Sequence, residues 1–164
     1  NAASRMTTID TARRAFFRGS AVPADHHVPW AIEAFETVCN RCGDCINACE
    51  EAVLVKGDGG FPTADLRLGA CTFCAACVEA CRPGALSLGV SPAWRITPQF
   101  GDACLSRHGV TCRSCGDACE QRAIRFTLRL GGCADPVVDQ RRCTGCGSCT
   151  ATCPNQSIHM KEER

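Results

Sequence analysis

Cys39-Asn40-Arg41-Cys42-Gly43-Asp44-Cys45-Ile46-Asn47-Ala48-Cys49 sets the pattern for the rest of the chain. Its gaps of two, two and three residues return at Cys71, Cys74, Cys77 and Cys81, and again at Cys143, Cys146, Cys149 and Cys153. Cysteines in this C-x2-C-x2-C-x3-C order ligate 4Fe-4S cubanes. Three thiolates on a tight loop grip three irons of one cubane while loop N–H groups face its sulfides. The fourth is expected to open a helix, face away and ligate a second cubane. Zinc sites offer two separated C-x2-C pairs, so three cysteines at successive gaps of two put one thiolate too many on one loop. A disulfide framework belongs to small secreted domains and fits poorly here, since nothing reads as a working secretory signal.

Composition agrees with a metal scaffold. Of 164 residues 17 are Cys, only 5% are aromatic and none is Tyr. Clusters then replace much of an ordinary hydrophobic core, and the cluster-free chain is expected to be unfolded or molten. The formal charge of +1 counts every thiol as neutral. Four oxidised cubanes bring about −16 from thiolates and about +8 from their cores, which leaves the loaded protein near −7, roughly. An acidic protein without a basic patch and interleaved aromatics is not a nucleic-acid binder. No apolar run has the length of a membrane-spanning helix.

An aliphatic residue stands five positions after each fourth cysteine: Leu54, Leu86, Ile124 and Ile158. After Cys49 the β-branched stretch Val53-Leu54-Val55, the Gly57-Asp58-Gly59-Gly60 punctuation and Phe61-Pro62 predict a one-turn helix, a strand, a turn and a second strand. The recurrence is an internal repeat. Its copies pair by distance: Cys39 to Cys71 spans 32 residues and Cys112 to Cys143 spans 31, whereas Cys71 to Cys112 spans 41. The expected architecture is α+β, two tandem bacterial-type modules, each built round two 4Fe-4S clusters. It comprises an N-terminal arm over 1–35, module one over 36–92, a strap over 93–99 carrying Trp94, and module two over 100–164. Exchange of the fourth cysteines assigns Cys39, Cys42, Cys45 and Cys81 to set one. Set two is Cys71, Cys74, Cys77 and Cys49. Pro29-Trp30-Ala31-Ile32-Glu33-Ala34-Phe35 leads into the first cysteine loop, and a short apolar helix or turn there is expected to cover the cluster.

Module two departs from the pattern. A regular run would put a cysteine at position 109, where the chain has Gly109, and Cys104 stands upstream with seven residues between it and Cys112. Three outcomes are open: Cys104 loops in, Cys133 substitutes, or the site holds three irons or none. An insertion inside a cysteine loop costs little closure entropy, so Cys104 is preferred and Cys133 is left as a small buried hydrophobe. Set three is then Cys104, Cys112, Cys115 and Cys153, and set four is Cys143, Cys146, Cys149 and Cys119. Four clusters are expected, or three if the irregular site is empty. Glu50 and Glu120 follow fourth cysteines where Arg82 follows Cys81; either these charges make the potentials differ, or the side chains point to water and do little.

Asn1–Arg5 stand outside the fold argument, with Met6 read as the native start. Arg13-Arg14-Ala15-Phe16-Phe17 resembles a twin-arginine export signal, but the two prolines, Asp25, His26 and His27 that follow leave no apolar core for one. An arm that docks on a partner, with Arg13, Arg14, Phe16 and Phe17 as contacts, is the preferred reading. A weak membrane-surface contact of the same Arg and Phe residues is the second. His26 and His27 read as solvated loop residues.

Four-thiolate iron leaves no open position for a substrate. Phosphate loops, nucleophile elbows and room for a catalytic domain are lacking too, so electron transfer is expected and not enzymatic turnover by the chain alone. The order of features is similar to that of NapF-type ferredoxins of the periplasmic nitrate reductase system. It runs through Arg13-Arg14, Pro29-Trp30, Cys45-Ile46-Asn47-Ala48-Cys49-Glu50, Trp94, Gly101-Asp102-Ala103-Cys104-Leu105 and Cys112-Arg113-Ser114-Cys115-Gly116-Asp117-Ala118-Cys119-Glu120. The resemblance spans about Ile9 to Met160. It implies a cytoplasmic iron–sulfur protein that binds the catalytic subunit of periplasmic nitrate reductase before export and assists its maturation, by supplying electrons or by helping with its iron–sulfur centre. A general electron carrier, free or as a subunit of another oxidoreductase, is the alternative.

Overall fold

The computed structural model describes residues 28–162. Arg13, Arg14, Phe16, Phe17, His26 and His27 lie outside the described residues. The helices α1 (Phe35–Val38), α2 (Asp44–Asn47), α3 (Ala76–Glu79), α4 (Ser114–Asp117) and α5 (Ser148–Ala151) are single turns of four residues. A lone turn does not hold itself together in water; these are held by the cysteine loops that enter and leave them. The strands β1 (Leu54–Lys56), β2 (Pro62–Ala64), β3 (Ile96–Phe100), β4 (Ile124–Leu128), β5 (Ala134–Val138) and β6 (Ile158–Glu162) make three antiparallel pairs: β1–β2, β3–β6 and β4–β5.

The helices do not open on the fourth cysteines, which corrects that expectation. Helices α2 to α5 start before the third cysteine of each run and are finished before Cys49, Cys81, Cys119 and Cys153. In three of the four runs the residue after the second cysteine, Gly43, Ala75 or Gly147, takes a left-handed conformation as N-cap and turns the chain into the helix early, so its one turn is used up before the fourth cysteine is reached; α4 starts at the same place behind Arg113, at φ −131°.

The two halves match residue for residue. Leu54, Leu86, Ile124 and Ile158 are all buried, and each pairs across strands: Leu54 with Ala64, Ile124 with Val138, Ile158 with Phe100, and Leu86 with Ala31. The amide of Ile32 donates to Ala85 O at 3.1 Å, as the amide of Gly101 donates to Ser157 O at 2.7 Å. Pro29 and Pro98 stand two residues before Ala31 and Phe100 and are both fully buried. The match is unequal in extent: β3–β6 is a ladder of five residue pairs, Ile96↔Glu162 to Phe100↔Ile158, where the first half has the single bridge Ala31↔Leu86. Residues 96–99, four of the seven read as a strap, thus belong to a strand of the second half. The β4–β5 hairpin likewise outreaches β1–β2, with five pairs against three, and carries Leu128 and Leu130 into solvent.

The halves meet along one seam. The Cys71 amide donates to Cys146 O at 2.7 Å, and the Trp30 amide donates to Ala93 O at 2.6 Å. Phe73 sits edge-on to both Trp30 and Trp94, its ring centroid 6.2 Å from each. Two glycines make the approach close enough. A methyl group on Gly147 would lie 2.7 Å from Leu66 Cβ, and one on Gly145 would lie 2.8 Å from Ile96 O and 3.0 Å from Trp94 Nε1. Trp94, Leu66 and Ile96 are buried in the same hydrophobic cluster as Cys45, Cys77, Cys115 and Cys149, so the core runs through both halves.

Candidate metal centres

All seventeen cysteines are free thiols. The third cysteine of each run, Cys45, Cys77, Cys115 or Cys149, lies on a one-turn helix and is buried. Arg41, Phe73 and Gly145, which precede the second cysteines, have φ of 62°, 56° and 77°. Gly43, Ala75 and Gly147, which follow them, have φ of 84°, 65° and 86°. Left-handed residues set among right-handed ones turn successive N–H groups to one side, the backbone nest found at anion and Fe–S sites. The loop thus offers donors to bridging sulfides while its side chains offer thiolates. The same conformation recurs three residues after each fourth cysteine, at Ala52, Gly84, Arg122 and Gln156. Two of the sulfurs so placed accept amides four residues on: Ala123 N–H to Cys119 Sγ and Ser157 N–H to Cys153 Sγ, both 3.3 Å.

Two cavities are ringed by thiols. Cys49, Cys71, Cys74 and Cys77 line the first, closed by Pro29, Trp30, Val53 and Leu54. Of the segment expected to cover the first cluster, Pro29 and Trp30 lie over set two, where the Ala31↔Leu86 bridge brings them across the module, while Phe35 is buried in α1, just before Cys39. Cys104, Cys112, Cys115 and Cys153 line the second cavity, with Phe100, Phe126 and Ile158. Cys104 is brought there by a well-tied insertion. Ser106 Oγ donates to Ala134 O (2.7 Å), Arg107 donates from Nη1 to Phe100 O (2.8 Å) and pairs through Nε with Asp135 (3.3 Å), and Asn155 Nδ2 donates to Ala103 O (3.1 Å). Cys133 stands apart, beside Gly109, where its sulfur would meet an added methyl at 3.9 Å. The irregular loop lacks the nest: Arg113, the residue after its second cysteine, has φ −131°.

For the other sets proximity is read from electrostatics. Burial pushes the Cys45 thiol up to about 11, helped by negative charge at Cys81, Cys39 and Cys42. Burial pushes Cys149 up to about 12, with Cys146, Cys143 and Cys115 adding to it. Cys77 and Cys115 are also raised to about 11, mainly by burial, and Cys71 is raised by burial with further charge from Cys49, Cys74 and Cys146. Cys119 is tied to its own turn by the Ala123 amide. Thiols crowded and buried in this way ionise only when positive charge is placed among them, which is the role of iron. Among the described residues no three Cys, His, Asp or Glu side chains stand close enough to hold a single metal ion. The donor sets, the nests and the apolar linings fit 4Fe-4S clusters.

Sequence reading did not find the left-handed Arg41, Phe73 and Ala75, whose side chains normally disfavour that conformation, nor the Leu66–Gly147 contact. The paired glycines of Thr144-Gly145-Cys146-Gly147 were the available signal.

Two family models match the chain, both described as 4Fe-4S dicluster domain, one over residues 38–86 and the other over 110–162. The molecule is therefore a ferredoxin-type iron–sulfur protein of two tandem dicluster modules. The Ferredoxin-type protein NapF of Escherichia coli is 40% identical over 154 residues, 92% of this chain and 94% of that protein. Its namesake in Haemophilus influenzae is 42% identical over 136 residues, 82% and 77% of the two chains. The chain belongs to the NapF family of ferredoxin-type proteins. More distantly, a subunit of the ion-translocating oxidoreductase complex of Methanosarcina acetivorans is 30% identical over 135 residues, 75% of this chain but 47% of that one. No solved structure matches. Among the described residues no helix is long and apolar enough to cross a membrane.

Proposed function

We propose that this ferredoxin-type protein works in the cytoplasm on the catalytic subunit of a periplasmic nitrate reductase, binding it before export and assisting its maturation, with single electrons as what it supplies. The observation that carries the reading is likeness to NapF proteins over 92% of the chain, at 40% identity, the irregular third set included. Bound 4Fe-4S clusters supply one-electron transfer. The chain's own residues do the rest. Cys39, Cys42, Cys45 and Cys81 hold the first cluster; Cys71, Cys74, Cys77 and Cys49 the second; Cys104, Cys112, Cys115 and Cys153 the third; Cys143, Cys146, Cys149 and Cys119 the fourth. Cys104 is chosen over Cys133 because it shares a cavity with Cys112, Cys115 and Cys153. Trp30 and Pro29 keep water off the second site and Phe100 and Phe126 off the third, which limits hydrolysis and lowers the local dielectric.

The arm is the proposed docking element, through Arg13, Arg14, Phe16 and Phe17. The test is co-purification of the reductase catalytic subunit with the full chain and with a chain lacking residues 7–20, iron being measured on both. Loss of the subunit with iron retained supports docking by the arm; full retention moves the contact to the cysteine modules. Failure of the full chain to retain the subunit refutes the maturation reading. A general electron carrier is then the alternative, favoured by the likeness to a component of an ion-translocating oxidoreductase complex.

A further inference from the structure

Nothing in the spacing of the cysteines says which clusters lie side by side, since a chain numbered one to four can be folded in several spatial orders. Within each module the order is set by the one-turn helices. Helix α2, which carries Cys45, packs on α3, which carries Cys77; α4, which carries Cys115, packs on α5, which carries Cys149. Sets one and two are thus neighbours, and so are sets three and four. Between the modules the seam decides. On one side stand Leu66, Cys71 and Phe73, the loop of set two and its approach. On the other stand Gly145, Cys146 and Gly147, the loop of set four, together with Trp94 and Ile96. Two ligand residues are joined directly, the Cys71 amide on Cys146 O at 2.7 Å.

We infer that the four sites are strung in the order one, two, four, three, with the Cys71–Cys146 peptide contact as the crossing between modules and the irregular Cys104 site at one end. This rests on the ligand sets proposed above. An electron taken from a one-electron donor protein at one end, and passed as one electron to an acceptor protein at the other, crosses at that contact. The ends are sites one and three, so donor and acceptor meet opposite poles of the molecule. Leu66, which lies against Gly147, and Trp94, which lies against both Gly145 and Phe73, are positioning residues for the crossing: they touch the loop of set four and fix its distance from set two. The glycines are required there, since both have positive φ and neither has room for a Cβ.

The test uses the loaded full chain, reduced with dithionite, and reads magnetic interaction between neighbouring reduced clusters by electron paramagnetic resonance. One site is removed at a time: Cys42→Ala (site one), Cys74→Ala (two), Cys112→Ala (three) and Cys146→Ala (four). Removing an inner site strands an end site. Cys74→Ala and Cys146→Ala are expected to show one isolated, unsplit signal for about a third of the spins. Cys42→Ala and Cys112→Ala leave three neighbours in a row and no isolated signal. The reverse pattern, or no difference among the four, overturns the order. Iron is counted in parallel. About twelve per chain in a variant shows that one cluster has gone. A wild-type chain that loads no cubanes refutes the ligand sets, and the order falls with them. Where a variant loses more than one cluster, Leu66→Trp is read instead, since it keeps every cysteine and both loop glycines and overfills the seam against Gly147. It is expected to hold its iron while the spectrum resolves into two independent pairs; an unchanged spectrum overturns the order.

Discussion

Gly43 and Gly147 occupy the same place in their cysteine loops, one residue after the second cysteine, with φ of +84° and +86°. Their surroundings differ. Nothing lies within 4 Å of a Cβ built on Gly43, whereas one on Gly147 would stand 2.7 Å from Leu66 Cβ and 2.8 and 2.9 Å from its Cδ atoms. Alanine at either position carries the left-handed penalty, about 1–2 kcal/mol. The native Ala75, at φ +65° in the same place of the second run, shows that the loop tolerates it. At Gly147 alone a second cost arises, because Leu66 Cβ is fixed to buried backbone and cannot swing aside; overpacking of this kind costs about 1–3 kcal/mol. Gly43→Ala is therefore expected to destabilise by about 1–2 kcal/mol and Gly147→Ala by about 2–5 kcal/mol. At about 2–4 °C per kcal/mol for a chain of this size, the two midpoints should differ by about 2–12 °C. The assay is bleaching of cluster absorbance on heating at one fixed scan rate, as loss of iron is irreversible. Leu66→Gly, which removes that Cβ, should cost less when added to Gly147→Ala than it costs in the native chain. Equal midpoints for the two alanine variants, or an equal cost of Leu66→Gly in both backgrounds, would refute the argument that the seam is packed through Gly147.

Three further outcomes are expected. Cys104→Ser should drop iron from about sixteen per chain either to about fifteen, with an oxidised three-iron signal, or to about twelve, without one, while Cys133→Ser leaves iron and spectrum unchanged; the reverse would move the ligand to Cys133. Cluster loading displaces thiol protons, and burial holds Cys45, Cys77 and Cys115 up at about 11 and Cys149 at about 12 against an ordinary 9.0, so reconstitution should improve from pH 6 to pH 8, as read by iron bound against a chelator. For any cluster-free fold the sign is opposite: raised folded-state values stabilise it below about 9 and that contribution is lost as pH climbs through about 11. Glu50, exposed at the rim of the set-two cavity, should on neutralisation to Gln raise the potential of a nearby cluster by about 10–40 mV in a redox titration, the size of an exposed charge effect.

What was legible in the sequence was what spacing alone can carry. Cysteine gaps pointed to the dicluster modules, and the aliphatic residue five positions after each fourth cysteine gave Leu54, Leu86, Ile124 and Ile158 as buried strand residues, because a repeat must bury the same position in each copy. The placement of helices was misread, since it depends on a left-handed residue that glycine announces at Gly43 and Gly147 but Ala75 does not. Trp30 could be read as a cover, though not as the cover of set two, because that follows from one long-range bridge. The position of Cys104 was open for the same kind of reason: its approach to Cys112, Cys115 and Cys153 rests on Ser106, Arg107 and Asn155 reaching distant carbonyls, contacts that leave no mark on local spacing.

The unequal closure of the two halves bears on how the molecule comes apart. Residues 96–100 are zipped to 158–162 along five pairs, so their amides should be released to exchange only when most of the second half opens. Ala31 is held at a single bridge, with the Ile32, Ser87 and Trp30 amide bonds beside it. That edge is closed by fewer residue pairs than β3–β6, and it carries Trp30, the cover of Cys49, Cys71, Cys74 and Cys77. Brief fraying there uncovers the second site while the rest stays folded. Oxygen and chelators should therefore attack the protein first at the centre of its cluster row and not at its ends, so that early damage splits the row in two.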